Sequence, residues 1–260
     1  MIRVAALLLA VPLAAQAPPQ KWTLGVHGGN PELTGFYKDI GSSATSFDLV
    51  DDLNLELDKT GMGVHMEYSG SRFGFSMAYS VQDYAGQNRL DREFEIAGKK
   101  FSADMSVLSD LSHTVFDVNW TIKLLRHHNG WLGVDLGMQG WYLDVQAEGR
   151  VEANPTLSNE PPSVKVNETY GVPIPHIGVS GAYQALNNRL QLGGKAHFLA
   201  YSGAKYTHFV ADARYYFLPW LGVRAYFDAQ SFDVPDGAIM DDVELKLDRS
   251  GLGFGLVARW

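Results

Sequence analysis

Cysteine is absent from this sequence, which excludes a disulfide framework, a thiolate metal centre and a lipobox. Basic charge is also scarce: 21 Lys and Arg stand against 29 Asp and Glu, and the net charge of −8 leaves no electrostatic footprint for nucleic acid. Beyond the first residues no stretch reaches the roughly 18 consecutive apolar residues of a membrane-spanning helix. No catalytic signature motif occurs. What the 260 residues hold in quantity is glycine, 27 of them, and aromatic side chains, with 12 Tyr, 13 Phe and 6 Trp. At 46% hydrophobic the chain is too apolar for disorder and has the composition of an aromatic-rich β protein.

The opening residues have the form of an export signal: Arg3, the apolar run Val4–Val11, Pro12, then Ala14-Ala15-Gln16-Ala17. Pro18 and Pro19 stop a helix at this point, and a strand-like pattern follows at once. Residues 1–17 are therefore expected to be cleaved, after Ala15 or Ala17, leaving 18–260 as the exported protein. It is then either a soluble β protein or a membrane barrel.

Period-two alternation marks strands at 21–28, 61–69, 72–84, 112–125, 131–145, 172–185, 189–201, 205–217, 221–233 and 247–260. The links at Gly70-Ser71, Arg126–Gly130, Leu186–Asn188 and Leu218–Trp220 are short. They alternate with longer stretches at 29–60, 85–111, 146–171 and 234–246, among which only Ser202–Lys205 is short. Short turns on one side and long loops on the other are the asymmetry of an outer-membrane barrel, with both termini on the periplasmic side. The fold class predicted is an all-β, transmembrane, antiparallel up-and-down barrel of about ten strands; eight follow if strand one or the 202–205 link is misread.

Alternation alone does not say which face meets lipid. One parity is apolar, for example Phe116, Val118, Trp120, Ile122 and Leu124; the other carries His65, Glu67, Asp117, Lys123, Asp135, Lys195, His197, Asp212, Arg214, Arg224 and Asp228 together with most strand glycines. On a solvent face glycine would only weaken strands, whereas inside a narrow barrel it makes room for long or ringed polar side chains. The polar parity is therefore expected to face inward. Trp22, Tyr68, Phe73, Trp131, Phe217, Trp220 and Trp260 cluster beside the short turns as an interfacial girdle. The final strand, with Phe254, Leu256, Ala258 and Trp260 at alternate positions, resembles the C-terminal signature that the barrel assembly machinery reads.

The sequence resembles an uncharacterised family of Gram-negative outer-membrane β-barrel proteins of about this length. The similarity rests on Ser46-Phe-Asp-Leu-Val-Asp-Asp-Leu-Asn-Leu55, Phe94–Phe101 with Ala97-Gly98, Trp131-Leu-Gly-Val-Asp-Leu-Gly137, Val172-Pro-Ile-Pro175, Asp212-Ala-Arg-Tyr-Tyr216 and Gly222-Val-Arg-Ala-Tyr226. Asn54 replaces a usual Gly, and the last strand lacks the family's Gly-Pro. The resemblance implies fold and location, and no catalytic residue.

Counted from the short turns, Lys123 and Asp135 fall at similar heights, as do Lys195 and Asp212, while Arg214 and Arg224 lie low and close together. With Asp228 these form an expected ion-pair network in a polar, largely filled lumen; the rival is a narrow pore lined by the same groups. His176, His197 and His208 share the inward parity on three consecutive strands and are the candidates for Zn²⁺, although no carboxylate partner for each ring is evident in the sequence, and no metal or cofactor is expected. Asp110, Ser112 and His113 cannot form a local triad, because neighbours on a strand point to opposite faces. Asp104, Asp110, His113 and Asp144 would be the candidates for a rim hydrolase of lipid A or peptide. The first long stretch is acidic, with Glu32, Asp39, Asp48, Asp51, Asp52, Glu56 and Asp58, and is expected to be a solvated loop. The apolar parity slips between Val81 and Phe94 and again between Val107 and Thr114, predicting a hairpin with Phe94, Ile96, Phe101 and Met105 above the bilayer; packing against the first long loop is its simpler use, and contact with lipopolysaccharide or a partner is the alternative. The expected role is structural or ligand-contacting rather than enzymatic. The expected surroundings are outer-membrane lipid and lipopolysaccharide, with oligomeric state open.

Overall fold

A computed structural model describes residues 22–39, 47–57, 60–96, 99–150, 163–235 and 243–260. The expected export signal and most of the loop at 152–168 lie outside these residues. The strands are β1 (Trp22–Gly29), β2 (Glu32–Asp39), β3 (Phe47–Asp48), β4 (Glu56–Leu57), β5 (Gly61–Ser69), β6 (Phe73–Arg89), β7 (Phe94–Ile96), β8 (Lys99–Phe101), β9 (Ser106–His127), β10 (Gly130–Arg150), β11 (Ser163–Ala185), β12 (Leu190–Tyr201), β13 (Ala204–Tyr216), β14 (Leu221–Val234) and β15 (Val243–Arg259).

Each alternating segment becomes a strand paired antiparallel to its sequence neighbour, in the order β1-β5-β6-β9-β10-β11-β12-β13-β14-β15. The sheet closes where β15 returns to β1, from Thr23↔Arg259 to Gly29↔Gly253. Above Asn30-Pro31 the same stave continues as β2, from Glu32↔Ser250 to Asp39↔Val243. The barrel therefore has ten staves closed into a ring, whose paired backbone groups need no water; above Ile177↔Phe198 the β11–β12 ladder ends, and among the described residues Ser163–His176 pair with β10 alone. The tight link between β11 and β12 suits its residues: Leu186, Asn187 and Asn188 all take positive φ, a conformation asparagine tolerates.

The strands run further than alternation suggested. β2, β3 and β4 occupy part of 29–60, β6 continues to Arg89, β9 begins at Ser106, and β10 and β11 reach Arg150 and Ser163. Their polarity inverts partway along without any change of parity. On β10 the outward residues are Leu132, Val134, Leu136 and Met138, then Tyr142, and beyond it Asp144, Gln146, Glu148 and Arg150; the inward ones are Asp135 and Gln139, then Trp141, Leu143 and Ala147. On β15 the outward face passes from Leu252, Phe254 and Leu256 to Ser250, Asp248 and Lys246, and the inward face from Arg249 to Leu247 and Leu245. β9 inverts between Val115 and Asp117, and β11 between Ile174 and His176. The cause is the medium: a strand in lipid must be apolar outside, and the same strand in water must be apolar inside. The parity slip read before Thr114 is this inversion, since β9 pairs with β6 in unbroken register from Arg89↔Ser106 to Phe73↔Ile122.

The outward apolar band is exposed as the face assignment requires, with Trp120 60% and Phe254 68% accessible. Inward glycines do make room for rings: a Cβ at Gly25 would strike His65, at Gly178 the His197 ring, and at Gly253 the Tyr226 ring. Trp131 departs from the expected girdle. It lies on the inward parity and lines the lumen, with the Lys123 ammonium 4.8 Å above its ring. Leu256→Arg would place a charge near the middle of the lipid band and is expected to cost about 2–4 kcal/mol, read as a lowered urea midpoint in lipid; an unchanged midpoint would overturn the face assignment.

Inside the water-facing half lies a continuous core built from Leu33, Leu53, Leu55, Tyr84, Leu111, Trp141, Ile174, Tyr206, Phe232 and Leu247, among others. In the described part of the acidic first stretch, Glu32, Asp51 and Glu56 are exposed as a solvated loop requires, but residues 49–55 largely pack inward. Leu49, Leu53 and Leu55 enter this core, Asp52 is buried against the Arg92 guanidinium, and Asn88 Nδ2 donates to the carbonyls of Asp51 and Asp52. The chain passes so close to β6 that a Cβ at Gly86 would meet the Leu53 carbonyl oxygen at 2.3 Å. Phe101 and Met105 are also buried there, in the same cluster as Leu49, Leu53 and Leu55, so these two residues pack with the first long stretch as the simpler reading expected.

Candidate functional site

Below the inversion level the lumen is polar and encloses a cavity of about 740 Å³ that runs toward the short turns. The expected polar filling is therefore confined to half the barrel, and even there it is incomplete; the other half is filled by the apolar core. Three levels of side chains line it.

The lowest level holds Glu67, Asp212, Arg214 and Arg224. Arg214 grips Glu67 with both terminal nitrogens, Nη1 to Oε2 at 2.5 Å and Nη2 to Oε1 at 2.6 Å, and donates through Nε to Asp212 at 2.6 Å. Arg224 reaches the same Asp212 carboxylate at 3.5 Å. Arg214 on β13 and Glu67 on β5 stand four staves apart, so this bidentate pair crosses the lumen. Lys195 does not join Asp212; its Nζ lies 3.8 Å from Asp117. Lys123 does not join Asp135 either, since its amine donates to Ser69 Oγ at 2.6 Å and the Gly70 carbonyl at 2.9 Å, beside the short turn.

The middle level centres on carboxylates and histidines. Asp135 accepts from Thr121 at 2.6 Å, Ser180 at 2.8 Å and His197 Nε2 at 3.1 Å. His208 Nε2 lies 3.0 Å from Asp228, whose other oxygen accepts from Arg249 at 2.9 Å. His176 Nε2 faces Asn119 Oδ1 at 2.6 Å, and its ring stacks on His197 with centroids 4.4 Å apart. The three histidines do come together, but the set within ligand reach of one another is Asp117, His197 and His208, one ligand atom of each lying within 4.8 Å of the others. His176 is outside that set, its ring turned parallel to His197.

The uppermost level is the seam with the apolar core. Gln139 accepts from Trp141 Nε1 at 2.8 Å and from the Tyr206 hydroxyl at 2.5 Å, and Arg249 donates to Gln82 at 2.9 Å. Directly above, Trp141 on β10 meets Phe232 on β14, four staves away, with centroids 5.4 Å apart. This ring-to-ring contact spans nearly opposite walls of the lumen.

The rim candidates scatter. His113 is fully buried with its ring 4.7 Å from that of Trp141, Asp110 faces outward on the same strand, Asp104 pairs with Arg89 at 3.5 Å on the surface, and Asp144 accepts from Thr169 at 3.4 Å. Ser112 Oγ donates to Asp83 rather than to a histidine. Glu67, Asp117, Gln139 and Arg249 are among the members of the lumen network that the expected ion-pair set left out, although alternation places Glu67 and Asp117 on the inward face. Their inward parity was the available signal, but parity says nothing about which inward groups meet across the barrel.

No protein-family model matches the chain, and no curated protein matches it. Among solved structures it is similar to the outer membrane protease OmpT from Escherichia coli, with 13% identity over 95% of this chain and 99% of that one and a TM-score of 0.64. Weaker similarities are to Ail, the attachment invasion locus protein of Yersinia pestis, at 11% identity over 92% and 99% with a TM-score of 0.33, and to the translocator domain of the autotransporter NalP from Neisseria meningitidis, at 10% over 90% and 88% with a TM-score of 0.44. At these identities what is shared is architecture: the chain has the fold of an outer-membrane β-barrel.

Proposed function

We propose that this protein is a non-conducting, non-enzymatic barrel of the bacterial outer membrane that carries a water-facing β platform on its extracellular side. The observation that carries the reading is the Trp141–Phe232 contact at 5.4 Å, set in a core that fills the lumen above the membrane. A solute crossing this barrel would have to displace side chains as buried as Trp141, which is 1% exposed. The remaining cavity is a blind polar vestibule entered from the short-turn, periplasmic side. The platform is where lipopolysaccharide or a ligand would be met, and the alternating C-terminal strand through Trp260 is the segment the assembly machinery would read. Membership of the uncharacterised barrel family named above belongs to the same proposal.

Planar-bilayer recording of the refolded protein tests it. Folded barrel is expected to produce no unitary current steps. Reproducible steps from protein whose folding is verified by heat-modifiable gel mobility would overturn the reading in favour of a narrow channel.

A further inference from the structure

We infer that Asp117, His197 and His208 form a binding site for one divalent transition-metal ion, of the Zn²⁺ class, inside the lumen. The three residues come from β9, β12 and β13 and all line the polar cavity. All are buried, and each offers a ligand atom within 4.8 Å of those of the other two. Two imidazoles and a carboxylate are a donor set that such ions favour over the hard cations Ca²⁺ and Mg²⁺.

Three further observations point at an ion rather than at ordinary lumen hydrogen bonding. First, each histidine is oriented from behind by its own carboxylate: His197 Nε2 lies 3.1 Å from Asp135 Oδ2, and His208 Nε2 lies 3.0 Å from Asp228 Oδ2 and 3.1 Å from the Gln230 side-chain amide, whose unpartnered oxygen accepts from the same Nε2–H once the amide is turned over. A ring that donates its Nε2 proton to a carboxylate presents the Nδ1 lone pair, which is the outer-shell arrangement that sets the tautomer and raises ligand basicity in metal sites. Second, the atoms left without a hydrogen-bond partner are those facing the other way: His197 Nδ1, His208 Nδ1 and Asp117 Oδ2. Three orphaned acceptors in one buried cluster are costly unless something electropositive meets them. Third, the charge is unbalanced. Among the described residues Asp117 pairs with Lys195 and Asp228 with Arg249, whereas the ion pair of Asp135 is with the titratable His197, so one of the three carboxylates is matched by no permanent cation at ion-pair distance.

Donors around a tetrahedral ion sit about 3.4 Å apart, given metal–ligand bonds of about 2.1 Å, so side-chain rotations of roughly an ångström bring the three to coordination distance. The cavity supplies the fourth position, open to water or to an anion entering from the short-turn end. Lys195, 3.8 Å from Asp117, is the competing cation and would swing toward the cavity when the ion binds.

The test uses the full refolded barrel, stripped with chelator and titrated with Zn²⁺, with metal per chain measured by elemental analysis after desalting and Co²⁺ absorption as a second readout. One ion per chain is expected, with ligand-field bands for the cobalt form. Asp117→Asn and His208→Gln are expected to abolish binding. Asp135→Asn, which meets His197 on the side away from the ion while keeping an oxygen for Thr121 and Ser180, is expected to weaken it about 10–100-fold. His127→Gln with His128→Gln in the exposed turn should change nothing. Absence of stoichiometric metal on the unaltered barrel overturns the inference outright. So does metal retained by folded His208→Gln, or metal lost only in the turn variant. The unaltered barrel and Asp135→Asn keep the test decisive even if the ligand variants fail to fold.

Discussion

Trp141→Ala is expected to destabilise the barrel by about 3–5 kcal/mol and to begin opening its lumen. The indole is almost wholly inaccessible and touches His113 at 4.7 Å, Phe232 at 5.4 Å and Tyr206 at 6.5 Å between centroids, so its removal leaves a void that rigid strands cannot close. It also deprives Gln139 of a donor. Two measurements check this: the urea midpoint of the variant in micelles, and current across a planar bilayer. Combined with Phe232→Ala, the deletion removes both sides of the cross-lumen contact, and intermittent current steps are expected where the unaltered protein is expected to show none. A double variant that folds, loses no stability and stays silent would mean that the closure lies elsewhere.

Arg214→Met is expected to cost about 3–5 kcal/mol, because it strands two carboxylates rather than merely deleting a bond. Glu67 would lose both of its short guanidinium contacts, and Asp212 would keep only Arg224 at 3.5 Å. The discriminating measurement is the double variant Glu67→Leu with Arg214→Met. If the penalty is an uncompensated buried charge, removing the partner recovers a substantial part of the lost stability; if Arg214 acts mainly by packing, the two losses add. The exposed pair Lys165–Glu148 at 2.8 Å is the control, where Lys165→Met should leave the urea midpoint essentially unchanged.

Much of the wall was legible in the sequence because period two is a local property. Alternation from Leu132 to Met138 or from Leu252 to Trp260 assigns each residue to a face without knowledge of any neighbour, and Gly70-Ser71 or Leu186–Asn188 mark turns by their own backbone preferences. The C-terminal pattern was legible for the same reason. What stood just beyond reach was the change of medium. The parity slips near Thr114 were visible, yet a strand that stays in register while its surroundings pass from lipid to water gives the same pattern as a strand that bulges.

The site was less legible than the wall. Residues judged level by counting from the turns, such as Lys123 with Asp135 and Lys195 with Asp212, do not pair, whereas Arg214 and Glu67 pair 147 positions apart. Likewise, the His176, His197 and His208 trio marked the right region but not the right set. Asp117 joins two of the three, and Asp135 and Asp228 supply ring partners that no spacing announced.

The sequence by itself determined that this chain makes a barrel, which residues face in and out, and where its short turns fall, since all three follow from local alternation and turn chemistry. Only the tertiary structure decided that the lumen is half polar vestibule and half apolar plug, that the acidic first segment folds into that plug, and which charges and histidines meet. Those outcomes depend on how the closed sheet is sheared and how wide it is, and that geometry brings together side chains from strands far apart in the chain.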